Sequence, residues 1–424
     1  MSVIVYGMLA MTGRVTMLGI ARWAGKGGSY RTVQRFFQTG IPWKQVMWVF
    51  FCTHLHRTTD EVVLAGDECI VTKAGKVTHG LDRFFASIYG RPVSALAFFA
   101  LSVVNVRERR AYPVMAEQII RSREEKTAVS SKESRKQARK TDVRAKGGRP
   151  KGSRTQSKTV VTLTPELQRI QAMLRQFLDL AGATLNLAYL VLDGHFGNNN
   201  ALQMVRQCGL HLVSKLRTDS ELYSPYEGQN KRQKYGQRVD FTHLPDGYLC
   251  QTTINNNIRT DIYQAVLLHK AFAQPLNVVV LLKSHLQTGA GAHVILFASD
   301  LNLSWQKVID FYQLRFQIEF NFRDAKQYWG LDDFMVVRET PVTNAINLSL
   351  FMVNVTSVLL QSWRAEDSAA SVLDLKAYYR AHKYVNEILK LLPQKPNPVL
   401  GQSICRRVSR LGMVHSPTPS LFSV

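Results

Sequence analysis

The spacing of apolar positions predicts helices up to about residue 58, where Ser29 stands as a cap ahead of YRTVQRFF. In that segment Val33, Phe36 and Phe37 fall on one helical face and Arg31 and Arg35 on the other. From Glu61 the pattern changes to strand-like runs, EVVLAGDECIV, VSALAFFALSVVNV and the short AYPVM, which predict three adjacent strands. PELQRIQAMLRQFLDLAG has a helical period closed by Gly182, and LNLAYLVLDG is the near-continuous apolar run of a buried strand. Residues 198 to 208 read as helix and GLHLVSKLR as strand, the order of a parallel α/β layer. The polar segment 218–293, with YLCQTTI and IYQAVLL set between turn-like NNN and PDG, predicts a β-rich insertion, after which the sheet resumes at HVILFASDL. One long helix is expected from Ser304 through FYQLRFQIEFNFRDAKQYW to Gly330, then further helices and a loose tail after Arg410. The best apolar run, Leu348 to Leu360, is short for a membrane span and contains Asn354, so it predicts a buried helix.

Charge adds a partner to this outline. The 424 residues, enough for two to four packed units, carry 54 Lys plus Arg against 31 Asp plus Glu, a net charge of +23 that suits a polyanion, most commonly nucleic acid. The stretch 121–158, with KESRKQARKTDVRAKGGRPKGSRTQSK, is too polar to form a core and predicts a flexible basic insert. Its GGRPKGS centre, with Arg149 and Lys151, resembles an AT-hook for a narrow minor groove and equally suits a plain basic linker. Arg31 and Arg35 divide evenly between DNA contacts and ordinary surface arginines. The apolar start is interrupted by Arg14 and Arg22 with no cleavage pattern after it, and the five scattered cysteines include no CxxC pair. Both features lead us to expect a cytoplasmic protein. His54 and His56 lack carboxylate or cysteine neighbours, so zinc is not expected.

Chemistry concentrates at three places. Asp67 and Asp193 each end an apolar strand, and neighbouring strands would bring both carboxylates to one edge, although each alone is also an ordinary turn residue. Tyr312, Arg315, Glu319 and Lys326 follow at offsets of three, four and seven, on one helical face, as a surface salt-bridge helix would also place them. Glu68 is expected on the opposite face from Asp67, His195 as a turn histidine, and Asp324 as a solvated carboxylate.

Tyr-x2-Arg-x3-Glu-x6-Lys, preceded by two strand-end aspartates, resembles the YREK signature of the insertion sequence family four group of DDE transposases. GDECIVTKAGKVTHGLDRFFASIYGRPV and LDGHFGNN extend the resemblance over most of residues 60 to 335. It implies an α/β protein with an RNase H-like core, interrupted before the catalytic Glu by the β-rich insertion and flanked by helical regions. The expected division is a DNA-binding region at 1–58, a first core part at 59–217 carrying the basic insert, the insertion at 218–293, a second core part at 294–365, and a helical region at 366–424. The resemblance further implies that Asp67, Asp193 and Glu319 hold two Mg²⁺ or Mn²⁺ ions, and that Tyr312, Arg315 and Lys326 contact phosphates. Such an enzyme binds terminal inverted repeats in double-stranded DNA, cleaves the transposon ends and joins their 3′-hydroxyls to target DNA as a homodimer. Its expected place is the bacterial nucleoid, with no membrane partner. Tyr248 and Tyr263 are the insertion aromatics considered for a flipped base. The alternatives are a metal-dependent nuclease on the same core and a domesticated, non-catalytic DNA-binding protein.

Overall fold

The long apolar runs pair into one mixed sheet. The computed structural model describes residues 1–122, 125, 157–230, 232–241, 243–366, 369–394 and 396–415. Arg149 and Lys151, at the centre of the basic insert, lie outside the described residues. Among the described residues the strands are β1 Val62–Thr72, β2 Asp82–Ala86, β3 Arg91–Asn105, β4 Arg110–Gln118, β5 Tyr189–Val191, β6 His211–Leu216, β7 Leu222–Pro225, β8 Tyr235–Arg238, β9 Leu249–Asn255, β10 Ile258–His269, β11 Leu276–His285 and β12 Gly291–Ala298. Their order is β2-β3-β1-β5-β6-β12-β11-β10-β7-β8, with β4 on β3 and β9 on β10. β3 runs antiparallel to both β1 and β4, and β5 and β6 run parallel to β1.

Two expectations change here. The early apolar runs form β1, β3 and β4 as read, but β2 adds a strand whose five residues are too short to stand out. The sheet also does not stop at residue 218 and resume near 293, because β10 and β11 continue it through β12 to β6. Val278, Val279 and Val280 explain this: consecutive residues of β11 are all buried, which requires cover on both faces of the strand.

The helices are α1 Ser2–Ala10, α2 Met17–Ala24, α3 Tyr30–Gln38, α4 Trp43–His54, α5 Pro165–Ala181, α6 Asn199–Gln207, α7 Trp305–Leu314, α8 Gln317–Trp329, α9 Glu339–Glu366, α10 Val372–Leu391 and α11 Pro398–Ser409. Ser29 caps α3, with Val33 and Phe37 buried, Phe36 half-buried, and Arg31 and Arg35 exposed. α5 and α6 cover one sheet face, where Phe177 and Leu202 join Leu64, Phe99 and Leu101. α7 covers Val63 and Ala65 on the other face. Beside it, α8 and α9 share a core with Cys69, Val71 and Phe98 and with Ile4, Ile20, Val33 and Met47 of the first four helices. The first and last helical regions therefore pack as one layer.

The expected single helix from Ser304 to Gly330 is two helices. Ser304 caps the first and left-handed Gly330 ends the second, but Arg315 and Phe316 form a turn between them. Three-residue hydrogen bonds replace four-residue ones there, from Phe316 N to Gln313 O and from Ile318 N to Arg315 O. The run around Leu348 to Leu360 belongs to a longer helix than expected. Residues 339–365 are long and apolar enough to cross a membrane by length and composition, yet 72% of the window is buried within the protein. Buried amides of this helix tie it to other elements of the core: Asn354 Nδ2 donates to Pro113 O at 2.7 Å. Asn344 Nδ2 donates to Phe37 O at 2.7 Å and Thr39 O at 2.8 Å, and its Oδ1 accepts from Trp43 Nε1 at 2.7 Å. The tail is also tied further than expected, since the Val414 and His415 amides donate to Asp374 Oδ1. Residues 416–424 lie outside the described residues.

Asn344→Leu keeps the volume but leaves the Trp43 indole N–H and two backbone carbonyls unpaired in the core. We expect it to destabilise the protein by about 3 kcal/mol in urea denaturation. A loss below about 0.5 kcal/mol, the range of neutral surface changes, contradicts the structural role given to this hub.

Candidate active site

Parallel pairing sets the first two carboxylates side by side. Leu64 pairs with Leu190 and Ala65 with Val191, β5 then ends, and two residues beyond each of the last partners stand Asp67 and Asp193. Asp67 is not at the end of its strand, as the sequence suggested. It lies mid-β1, paired with Ala100 of the longer β3, and its side chain opens where β5 has stopped. Gly66 allows this approach, because a Cβ there would lie 2.7 Å from the Phe99 ring and 3.1 Å from Leu192. Asp193 caps a short turn, Gly194–Phe196, with Oδ1 accepting from His195 N at 3.1 Å. Its carbonyl accepts from Ser214 Oγ of β6 at 2.7 Å.

The third carboxylate arrives on α8, and Arg315 in the α7–α8 turn links it to the first. Arg315 Nη1 lies 2.5 Å from Asp67 Oδ2, and Nη2 lies 3.0 Å from Glu319 Oε1. The Arg315 side chain is 13% exposed, and its buried Nε has no hydrogen-bond partner among the described residues. Lys326 Nζ reaches back to β1, donating to Ile70 O at 2.7 Å. Tyr312 is half-buried, with its hydroxyl pKa raised, chiefly by burial. The break thus leaves Tyr312, Arg315, Glu319 and Lys326 turned toward β1, whereas Asp324 pairs with Arg323 at 2.9 Å.

Charge is crowded at this point. Burial above all pushes the Asp67 carboxyl up to about 6; Arg315 pulls it back, Asp193 pushes it up, the Glu68 N–H pulls it down and Glu319 adds a smaller push upward. Among the described residues no three His, Cys, Asp or Glu side chains stand together as a metal-holding group. Asp67 and Glu319 are instead drawn onto one guanidinium, a cation in contact with carboxylate oxygens.

Glu68 faces the other side, as strand alternation requires, and there the sequence reading missed a partner set. His195 lies in the Gly194–Phe196 turn, and its Nε2 is 3.3 Å from Glu166 Oε1 at the start of α5. The Glu166 hydrogen bond raises the His195 pKa, and burial foremost, then Glu166, raises that of Glu68. Nothing in the sequence marks Glu166 beyond its place in the first turn of a helix. Arg31 and Arg35 project from the solvent face of α3. Tyr263 lies on β10, five strands along the sheet from β1, and Tyr248 lies just before β9 beside it.

A family model described as DDE superfamily endonuclease matches residues 1–275. The match includes Asp67 and Asp193 and ends before Glu319. No curated protein matches the chain.

Asp67 loses its proton near pH 6 in the fold and near 4 when unfolded, so ionising it costs stability. The cost is absent below pH 4, grows as pH rises and is complete above 6. Metal-free Asp67→Asn should therefore be more stable than the parent at pH 7, by up to about 3 kcal/mol, and equal to it near pH 4. Denaturation at the two pH values checks this, and equal stability at both contradicts the strained carboxylate.

Proposed function

The chain belongs to the DDE superfamily endonucleases, and from that premise we propose that it is the transposase of an insertion sequence, with Asp67, Asp193 and Glu319 as catalytic carboxylates. The observation that carries this reading is the Arg315 bridge, which draws carboxylates from β1 and α8 together beside Asp193. The order β4-β3-β1-β5-β6, with three antiparallel strands followed by two parallel to β1, supports an RNase H-like core.

The donor set fits a divalent cation. Asp67 and Glu319 share one buried guanidinium while Asp193 adds like charge beside Asp67, which leaves negative charge uncompensated, and hard carboxylate oxygens suit Mg²⁺ or Mn²⁺. Members of the superfamily typically use divalent metals. Asp67, Asp193 and Glu319 would hold such ions, which would supply positive charge to a reacting phosphodiester.

The protein's own groups do the positioning. Arg315, released from Asp67 and Glu319, offers its fork to a phosphate of the DNA end, and Lys326 supplies a point charge from the same face. The Tyr312 hydroxyl, kept protonated by its raised pKa, donates a hydrogen bond to phosphate. In cleavage a water oxygen bonds to phosphorus, the P–O3′ bond breaks, and the 3′ oxygen leaves with a proton. In joining, that 3′-hydroxyl oxygen bonds to the phosphorus of a target phosphodiester, the target P–O3′ bond breaks, and the departing 3′ oxygen takes up the proton that the attacking hydroxyl gives up. The partners are double-stranded transposon ends and target DNA, synapsed by a homodimer in the bacterial cytoplasm.

Mobilisation of a marker flanked by the DNA bordering this gene tests the reading. Asp67→Asn, Asp193→Asn and Glu319→Gln should each lower it by about three orders of magnitude or more while leaving DNA binding intact. Mg²⁺-dependent cutting by the parent without any joining replaces the transposase reading with that of a nuclease on the same carboxylates.

Arg315→Gln gives a separate check. In DNA-free protein it should tighten Mn²⁺ binding about tenfold, by freeing two carboxylates, and weaken binding of end DNA by a similar factor. Unchanged Mn²⁺ affinity contradicts the bridge as a competitor for the cation.

A further inference from the structure

The hairpin of β2 and β3 exposes side chains that serve no packing purpose where they stand. Phe85 is 60% exposed, Ile88 89% and Tyr89 55%. β1 ends at Thr72, opposite Ala95, and β4 ends at Gln118, opposite Phe98. Residues 91–94 of β3 are consequently laddered to β2, with one further backbone bond from Lys73 N to Ser94 O. The result is a two-stranded ribbon reaching past the sheet at the end where β1 and β5 deliver their carboxylates.

Register fixes which way the ribbon faces. Phe85 stands opposite Pro92, Arg83 opposite Ser94 and Asp67 opposite Ala100. Directly opposed residues point to one face, and faces alternate along β3, so Arg83, Phe85 and Asp67 share a face. Phe84 points the other way, buried against Ile70 and Val93 with the Arg121 guanidinium 4.3 Å from its ring. One phenylalanine anchors the ribbon and its neighbour is left in solvent.

We propose that this ribbon enters a groove of the same duplex whose phosphate lies at Asp67, with Phe85, Ile88 and Tyr89 against bases and sugars and Arg83 and Arg91 on phosphates. A two-stranded ribbon fits the major groove. From Ala100 to Pro92 the strand advances about 27 Å at roughly 3.4 Å per residue, which spans about eight base pairs. Arg83 and Arg91 are exposed, and the one acid of residues 82–94, Asp82, has Arg121 4.0 Å away. Two copies of this ribbon set against each other would oppose arginine to arginine, whereas DNA neutralises the same charges. The inference rests on the DNA-cleaving reading of the carboxylates.

A photo-cross-linking residue placed in the full-length protein at Ile88, or at exposed Phe316 beside Arg315, tests it on a duplex carrying the border of the gene. Both positions should cross-link to DNA, Ile88 within about ten base pairs of the cleaved position. Cross-linking of Phe316 to DNA, while Ile88 reaches only protein or nothing, overturns the ribbon's role alone. Failure at both positions overturns the DNA-cleaving reading and the inference with it. In addition, Arg91→Ala should lower the slope of log affinity against log salt by about one with an unchanged melting temperature, and an unaltered slope overturns the phosphate contact.

Discussion

A carboxylate held mostly out of water must be given a cation, and the arrangement around Asp67 follows from that need. Its side chain is 19% exposed, with Asp193 and Glu319 adding like charge, so its ionised form is costly without Arg315. Arg315 can serve both Asp67 and Glu319 because it sits in a turn and not within a continuous helix. The tightened hydrogen bonds at 315–318 are weaker helix geometry, offset by two charge-assisted contacts. An unbroken α7–α8 would keep the same residue spacing but would not produce this turn. The break is therefore part of how the site is assembled.

That assembly depends on chain segments far from it. Trp329, the last residue of α8, is buried, and the Lys376 ammonium of α10 lies 4.6 Å from its ring while donating to Met8 O of α1 at 2.9 Å. Burial lowers the pKa of Lys376 to about 8, so α1, α8 and α10 share a costly cation in a shielded position. At Gly330 the chain passes so near Val15 that an added Cβ would lie 2.4 Å from the Val15 Cβ, and Asp333 Oδ2 accepts from Val15 N at 2.9 Å. The helix bearing Glu319 is thus seated on the first helices of the chain, which makes the amino-terminal region a support for the site whatever its exposed arginines contact.

Legibility in the sequence tracks the range of the interactions. Apolar alternation and continuous apolar runs are local, and they revealed β1, β3, β4, β5 and β6 together with the cap at Ser29 and the helix start at Ser304. Asp67, Asp193 and Glu319 stood out because acids ending apolar runs and a helical spacing are local patterns too. What escaped depends on distant partners. Asp67 looks terminal because Gly66-Asp67-Glu68 breaks the apolar run, yet β3 carries the pairing on to Thr72. The turn at Arg315 is invisible in a run with helical spacing, since the Asp67 carboxylate that Arg315 meets lies on another element. Likewise, Glu166 meets His195 only because α5 packs over the end of β5, and β2 is too short for its alternation to register.

The same contrast bears on how the third acid reaches the site. The family match spans both aspartates and ends at residue 275, within the segment where β10 and β11 extend the sheet. Everything between β6 and α7 can vary in length without moving Glu319, provided β12 returns alongside β6, because α7 packs on the strands already placed there. Ile295 to Ala298 pair with Leu216 to Val213, and Val308 and Phe311 of α7 pack in the same core as Val213 and Leu296. The inserted strands therefore enlarge one side of the sheet while the return of β12 restores the starting point of α7. From there the turn at Arg315 directs α8 across the face of β1, and Glu319 comes within reach of the guanidinium that Asp67 already holds.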